Sequence, residues 1–258
     1  MIYQKFTPEG WNKDVGNPNE NGIYQGIVKK YDTNNVYVEF GKEKGIIPKS
    51  EFDSIYLEKD GTPKINLIKS KVDNIVQFKI LDKKDGEYIL SRKEVQNEAI
   101  NWIKSLKKGD IVDGIVSNIR PYGAFIEIGG GVVGLLHIED ISISRIKGPE
   151  ERFKLGDRIQ VKIKDINDNK IDLSYKELLG TWNDNIEDVQ EKTYAEGIIR
   201  NIDSNKKGIF IELKPNLVGM AEYSDKYEYG QRVPIYIKKI DREKQKIKLV
   251  IKEEKKED

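Results

Sequence analysis

The sequence contains no cysteine and a single histidine in 258 residues. Disulfides, thiolate zinc sites and a cysteine nucleophile are thereby excluded, and histidine-based metal or Ser/His chemistry nearly so. Carboxylate-only sites are not removed by such counting. Long hydrophobic runs are missing as well. No stretch approaches the roughly 18 apolar residues a membrane helix needs, and the opening "MIYQKFTPEGWNKDVGNPNENG" has no apolar run fit for a signal peptide. Nor does charge of one sign dominate: 45 basic and 44 acidic residues give a net +1, so no global field draws the chain onto a polyanion. Between positions 111 and 176 the balance is ten against ten. The expectation is a soluble, cytoplasmic, non-enzymatic protein with no cofactor, no metal and no membrane partner. Apolar residues are also scarce for the length, at 37% against 34% charged. Several small modules suit that composition better than one large core.

What is present is a pattern that occurs three times. "GIVKKYDTNNVYVEFGKEKGIIPKSEF" from Gly26, "GIVSNIRPYGAFIEIGGGVVGLLHIED" from Gly114 and "GIIRNIDSNKKGIFIELKPNLVGMAEY" from Gly197 share one plan. Each is a β-rich run, a polar turn, a second run, then glycine and an apolar pair. Each repeat closes on two alternating strands joined by a charged turn, as in "RIQVKIKDINDNKIDLSYKE". Apolar residues at every second position mark a half-buried strand. About five short strands per repeat, with one face buried, point to a small closed barrel. The cluster "GGGVVG" lacks the lysine and helix of a phosphate-binding loop and reads as a hairpin turn.

Between repeats the pattern is helical. In "SRKEVQNEAINWIKSLKKGD", Val95, Ala99, Trp102, Ile103 and Leu106 recur at spacings of three or four. "SYKELLGTWNDNIEDVQEKTYAEG" offers a short helix that stops at Gly180. Trp102 and Trp182 read as residues buried against the barrels. Linkers of this kind hold neighbours more firmly than a Gly/Ser tether. The expected organisation is an extension at 1–21, repeat 1 at 22–93, a helical linker at 94–107, repeat 2 at 108–176, a linker at 177–192, repeat 3 at 193–252 and a charged tail at 253–258.

The repeat resembles the S1-type RNA-binding domain of the ribosomal protein S1 family, whose fold is the OB barrel. In repeat 2 the resemblance rests on Gly114, Val116, "YGAF" at 122–125, "GLLHI" at 134–138, "LGDRIQVKIKDIN" and "KIDLS" at 170–174. "LLGTWNDNI" and "KGIFIELKPNLVGMAE" are also similar to the short S1-like proteins of low-GC bacteria. The fold implied is mainly β: three tandem five-stranded OB-fold barrels joined by short helical linkers. In domains of this family single-stranded RNA lies on two aromatics, a histidine and a few polar residues. The resemblance assigns these to Tyr122, Phe125 and His137, with Asn167 in place of the usual aspartate and Lys170 as the basic residue before the last strand. In repeat 3, Phe210, Asp241 and Lys246 match, while Glu222 replaces the histidine and Lys207 or a neighbour replaces the tyrosine. Repeat 1 keeps only Tyr37, with Asn34 and Pro48 at the other two positions. Its "GIIPKSEF" resembles repeats that dock on protein.

The spacing of Tyr122 and Phe125 bears on this assignment independently. Residues three apart on a straight strand face opposite sides, and Gly123 permits a bulge that re-aims Tyr122. Ile126 and Ile128 are then expected inside, with Phe125 and Glu127 outside. The acidic pairs "ED" at 139–140 and "PEE" at 149–151 read as solvated loop charges. The resemblance implies single-stranded RNA or mRNA as the partner, in translation with the small ribosomal subunit. The alternative is a non-ribosomal RNA-binding regulator or RNA-turnover adaptor.

Overall fold

The structure, a computed structural model, describes residues 22–167, 170–203, 205 and 208–252. The extension 1–21, the tail 253–258 and Lys207 lie outside the described residues. The alternating runs become strands. β1 (Tyr24–Tyr31), β2 (Asn35–Phe40), β3 (Glu43–Pro48), β4 (Ile75–Lys84) and β5 (Glu87–Ser91) form the first barrel. The second comprises β6 (Ile111–Arg120), β7 (Gly123–Gly129), β8 (Val132–His137), β9 (Arg158–Asn167) and β10 (Lys170–Ser174). The third comprises β11 (Tyr194–Asp203), β12 (Gly208–Lys214), β13 (Leu217–Glu222), β14 (Arg232–Asp241) and β15 (Lys246–Ile251). Each barrel is closed with the same order, 1-2-3-5-4, and its third and fifth strands pair in parallel. Three closed five-stranded barrels are the architecture the sequence predicts.

Each barrel has its own core, filled by the inward residues of the alternating strands. Val36, Val38 and Phe40 fill the first, Ile126 and Ile128 the second, Ile209 and Ile211 the third. The recurring first-strand glycine follows from that packing. A Cβ at Gly114 would stand 2.4 Å from Ile126 Cγ2, at Gly197 2.4 Å from Ile211 Cγ2, and at Gly26 2.5 Å from Val38 Cγ1. Strands one and two approach too closely there for any side chain.

Helices occupy the connections. α1 (Ile65–Lys71) lies between β3 and β4 and buries Ile68. α2 (Arg92–Ile103) starts where the Ser91 side chain accepts from Glu94 N–H at 3.0 Å, an N-cap. α3 (Trp182–Ile186) starts with a capping box between Thr181 and Asp184, just after Gly180 ends the preceding turn at φ +80°. Trp102 and Trp182 are both half-buried, packed against the second and third cores respectively.

The barrels are joined by more than chain. α2 packs along β4, while its Val95, Ala99 and Ile103 belong to the core of the second barrel. On its other side Arg92 donates to Asp53 at 2.6 Å and to the Phe52 carbonyl at 3.0 Å, and Gln96 donates to Asp53 at 2.8 Å. The "GGG" segment is a hairpin turn, as read, and also the seat of this helix. Gly130 and Gly131 have φ of +56° and +80°, and a Cβ on either would strike Ala99 or Arg92.

The second joint is polar. Glu212 of β12 accepts from Ser144, Arg152 and Arg200, each at 2.6 Å. Glu151 accepts from the Tyr229 hydroxyl at 2.7 Å and pairs with Arg200. Asn216 completes the contact, accepting from Ile143 N–H and donating to the Lys176 and Gly180 carbonyls. Burial opposes ionisation of both glutamates, but the donors around them outweigh it and hold each pKa below its ordinary value. Here the sequence reading is corrected. Glu151 is a half-buried interface residue, and Asp140 is buried with Lys164 and Lys176 at 2.6 and 2.9 Å. Neither is a solvated loop charge, because partners distant in sequence close over them.

Candidate nucleic-acid interface

β7 and β8 carry the residues that the sequence singles out in the middle barrel. Gly123 pairs with His137 and Phe125 with Leu135, so alternate residues of both strands share the outer face. Tyr122 is 51% exposed, Phe125 is half-buried, and their ring centroids lie 6.1 Å apart at 85°, edge to face. The His137 side chain is 45% exposed, and its Nδ1 accepts weakly from Glu139 N–H at 3.4 Å. These three residues are brought together, and the rings are open to water.

The device that puts both rings on one face is not the one expected. Gly123 is absent from the residues with positive φ, and β7 begins at it, so Tyr122 sits in the turn and strand alternation does not govern it. What Gly123 supplies is close approach: a Cβ would lie 2.6 Å from the Leu136 carbonyl. The bulge lies on the neighbouring strand, between Val116 and Asn118, and Asn118 pairs with Phe125. The same bulge recurs between Val28 and Lys30, opposite Tyr37, and between Ile199 and Asn201, opposite Phe210. A bulge re-aims the side chains beside it. Its recurrence shows the three aromatic positions to be equivalent.

Asn167 and Lys170 face each other as the last pair of the β9–β10 hairpin, both exposed. Asp172, two residues on from Lys170, pairs with Leu135, which in turn pairs with Phe125. Lys170 therefore belongs to a strand about 10 Å from that of Phe125, two strand spacings away. It flanks the rings rather than touching them. Sequence reading missed Leu135, Asn118 and the exposed Arg120 beside Tyr122. Only the register across the bulge places them there.

The outer barrels carry different residues at these positions. Tyr37 donates its hydroxyl to Asp32 at 2.6 Å, which raises its pKa, and Lys30 sits 4.8 Å from its ring centroid. One face of that ring is already occupied by a cation. Pro48 pairs with Asn35 as His137 pairs with Gly123, and Glu222 pairs with Gly208 likewise. Phe210 is half-buried opposite Met220, which is 44% exposed, and Asp241 pairs with Lys246. Asn34 is exposed in the turn before β2.

Three closed 1-2-3-5-4 barrels in series, one with paired rings on its outer sheet, define a tandem array of oligonucleotide-binding-type modules. The S1 RNA binding domain family matches residues 105–176. The small ribosomal subunit protein bS1 of Staphylococcus aureus is 31% identical over 251 residues, covering 90% of this chain and 62% of that protein. Its counterpart in Staphylococcus epidermidis is 31% identical over 229 residues, covering 81% and 56%. A multidomain protein with nucleic acid binding domains from Streptococcus pneumoniae, of known crystal structure, is 13% identical over 90% of this chain and 73% of that one, with a TM-score of 0.28. The segment 105–176 thus carries an S1 RNA binding domain, and the chain as a whole is similar to small ribosomal subunit protein bS1. It spans 62% of the length of the Staphylococcus aureus relative.

Proposed function

We propose that this chain binds single-stranded RNA by stacking unpaired bases on the outer faces of its barrels, holding unstructured mRNA near the small ribosomal subunit during translation. One observation carries the reading. Exposed Tyr122 and half-buried Phe125 form a ring pair beside His137, in the barrel that matches an RNA-binding family. A base stacked on an aromatic ring contributes about 1–3 kcal/mol with little sequence preference. Only unpaired bases offer their faces for this. Asn167, Lys170 and Arg120 rim the rings and supply hydrogen-bonding and phosphate contacts. The function is one of binding, without catalysis.

Affinity is centred on the middle barrel and extended by the third through Phe210, Asp241 and Lys246. It is weakest in the first, where Tyr37 already holds Asp32 and Lys30. Linked sites of this kind reinforce one another through effective concentration.

Replacing Tyr122 and Phe125 together by alanine in the full-length chain tests the reading. The expected loss is about 2–5 kcal/mol of RNA binding, from one or two stacked bases. It should persist at high salt, because stacking releases few counterions. Unchanged affinity in a variant with intact far-ultraviolet dichroism refutes the assignment. Sedimentation of a native lysate separates ribosomal work from the regulator or turnover-adaptor reading, which predicts no co-migration with small subunits.

A further inference from the structure

We infer a second single-stranded RNA contact on the third barrel, on the outer face of β14 and β15 around Tyr194 and Tyr236. It rests on the RNA-binding reading above but uses a face that the S1-type platform does not. Tyr194, at the start of β11, is 72% exposed, the most exposed large hydrophobic residue among those described. It pairs across the ladder with half-buried Tyr236, and the two ring centroids are 5.2 Å apart. The Lys252 ammonium stands 5.4 Å from the Tyr236 ring.

Comparison at matched register shows what is unusual. Counting from the first-strand glycines, the position of Tyr236 is held by Lys79 in the first barrel and Lys162 in the second. Each of those lysines is ion-paired to the element that follows its barrel: Lys79 to Glu98 of α2, and Lys162 to Glu177 at 2.5 Å. The fourth strand is thus covered in both. In the third barrel a tyrosine replaces the lysine.

The charge around the pair fits one occupant. β14 and residues 246–252 carry six cations against one carboxylate, Asp241, and β11 adds one more, the exposed Glu196 that pairs with Pro234. Arg232, Lys238, Lys248 and Lys252 are exposed, and none is ion-paired to a described residue. On the second barrel two of the three lysines of the corresponding hairpin are ion-paired, Lys162 to Glu177 and Lys164 to Asp140. Rings interleaved with unpaired cations suit a strand of stacked bases and phosphates, and a purely apolar partner would leave those cations desolvated. Asn201, opposite Phe210, is seven residues along β11 from Tyr194, about 23 Å at strand rise. A strand seated on Phe210 must therefore extend well past it to reach this pair, and length dependence is the expected consequence.

The test titrates the full-length protein with labelled single-stranded RNA of about six and about thirty nucleotides, the shorter within the site size of one barrel. Tyr194→Ala should weaken binding of the longer RNA about fivefold or more, leave the shorter unchanged, and be rescued by Tyr194→Trp. Equal affinity of Tyr194→Ala and parent for the longer RNA overturns the inference. Tyr122→Ala with Phe125→Ala, run beside it, separates the two ideas. Loss there without loss at Tyr194 removes only the second contact, and loss at Tyr194 alone removes only the platform. If Tyr194→Ala spares RNA of both lengths but abolishes co-purification of a protein, the face is a protein dock and the inference fails.

Discussion

The polar joint between the second and third barrels makes a quantitative prediction through Glu212→Gln. The carboxylate is 6% exposed and one oxygen, Oε2, accepts from Ser144, Arg152 and Arg200. The amide keeps the shape, and its oxygen can take the Oε2 position, but the charge is removed. Two guanidiniums then face each other in a dry contact with Glu151 as their remaining counter-charge. Breaking a buried pair in this way costs about 3–5 kcal/mol, and the surviving Glu151 contact argues for the low end. Calorimetry should resolve a separate, earlier transition for the third barrel, and X-ray scattering should show a larger radius of gyration. Acid should act on the same contact. Both glutamates are held below the ordinary value, so the unfolded chain takes up protons first as pH falls. Their contribution is complete above the unfolded pKa and lost as pH drops through the lower folded value. A variant with unchanged melting and scattering, or a parent whose joint survives full protonation, would show that Glu212 does not hold the barrels together.

Three further outcomes follow from the geometry. Gly114→Ala forces a methyl against Ile126 Cγ2 and should lower the stability of the middle barrel by about 1–3 kcal/mol, measured by thermal unfolding. Asp53→Ala leaves Arg92 buried without its partner, costs about 3–5 kcal/mol, and should raise amide exchange in the first turns of α2. Lys170→Ala should weaken RNA binding only at low salt and reduce the salt slope by about one, in contrast to the aromatic pair.

The strands and their repetition were legible because alternation of apolar residues is local, and so was the stripe on α2. Tyr122, Phe125 and His137 were singled out by resemblance to a family; the register puts Phe125 and His137 on one face, and Tyr122 joins them from the turn. The bulges were not, since the extra residues at Ser117 and Arg200 look like ordinary members of an alternating run. The joints were hidden for a different reason. Glu151 in "PEE" read as a solvated loop charge and Glu212 in "FIEL" drew no reading, and nothing within either segment reveals that the other's neighbours will enclose it. Gly130 and Gly131 announced a turn but not the helix that rests on it.

The position of α2 has a practical consequence for anyone dissecting the chain. Its polar edge grips Asp53 while its apolar edge supplies Val95, Ala99 and Ile103 to the next core. A fragment cut at residue 105, where the family match begins, would leave that core with an open side and its glycine turn without a lid. Truncations that respect the helix, beginning before Ser91, are the ones expected to stay monodisperse.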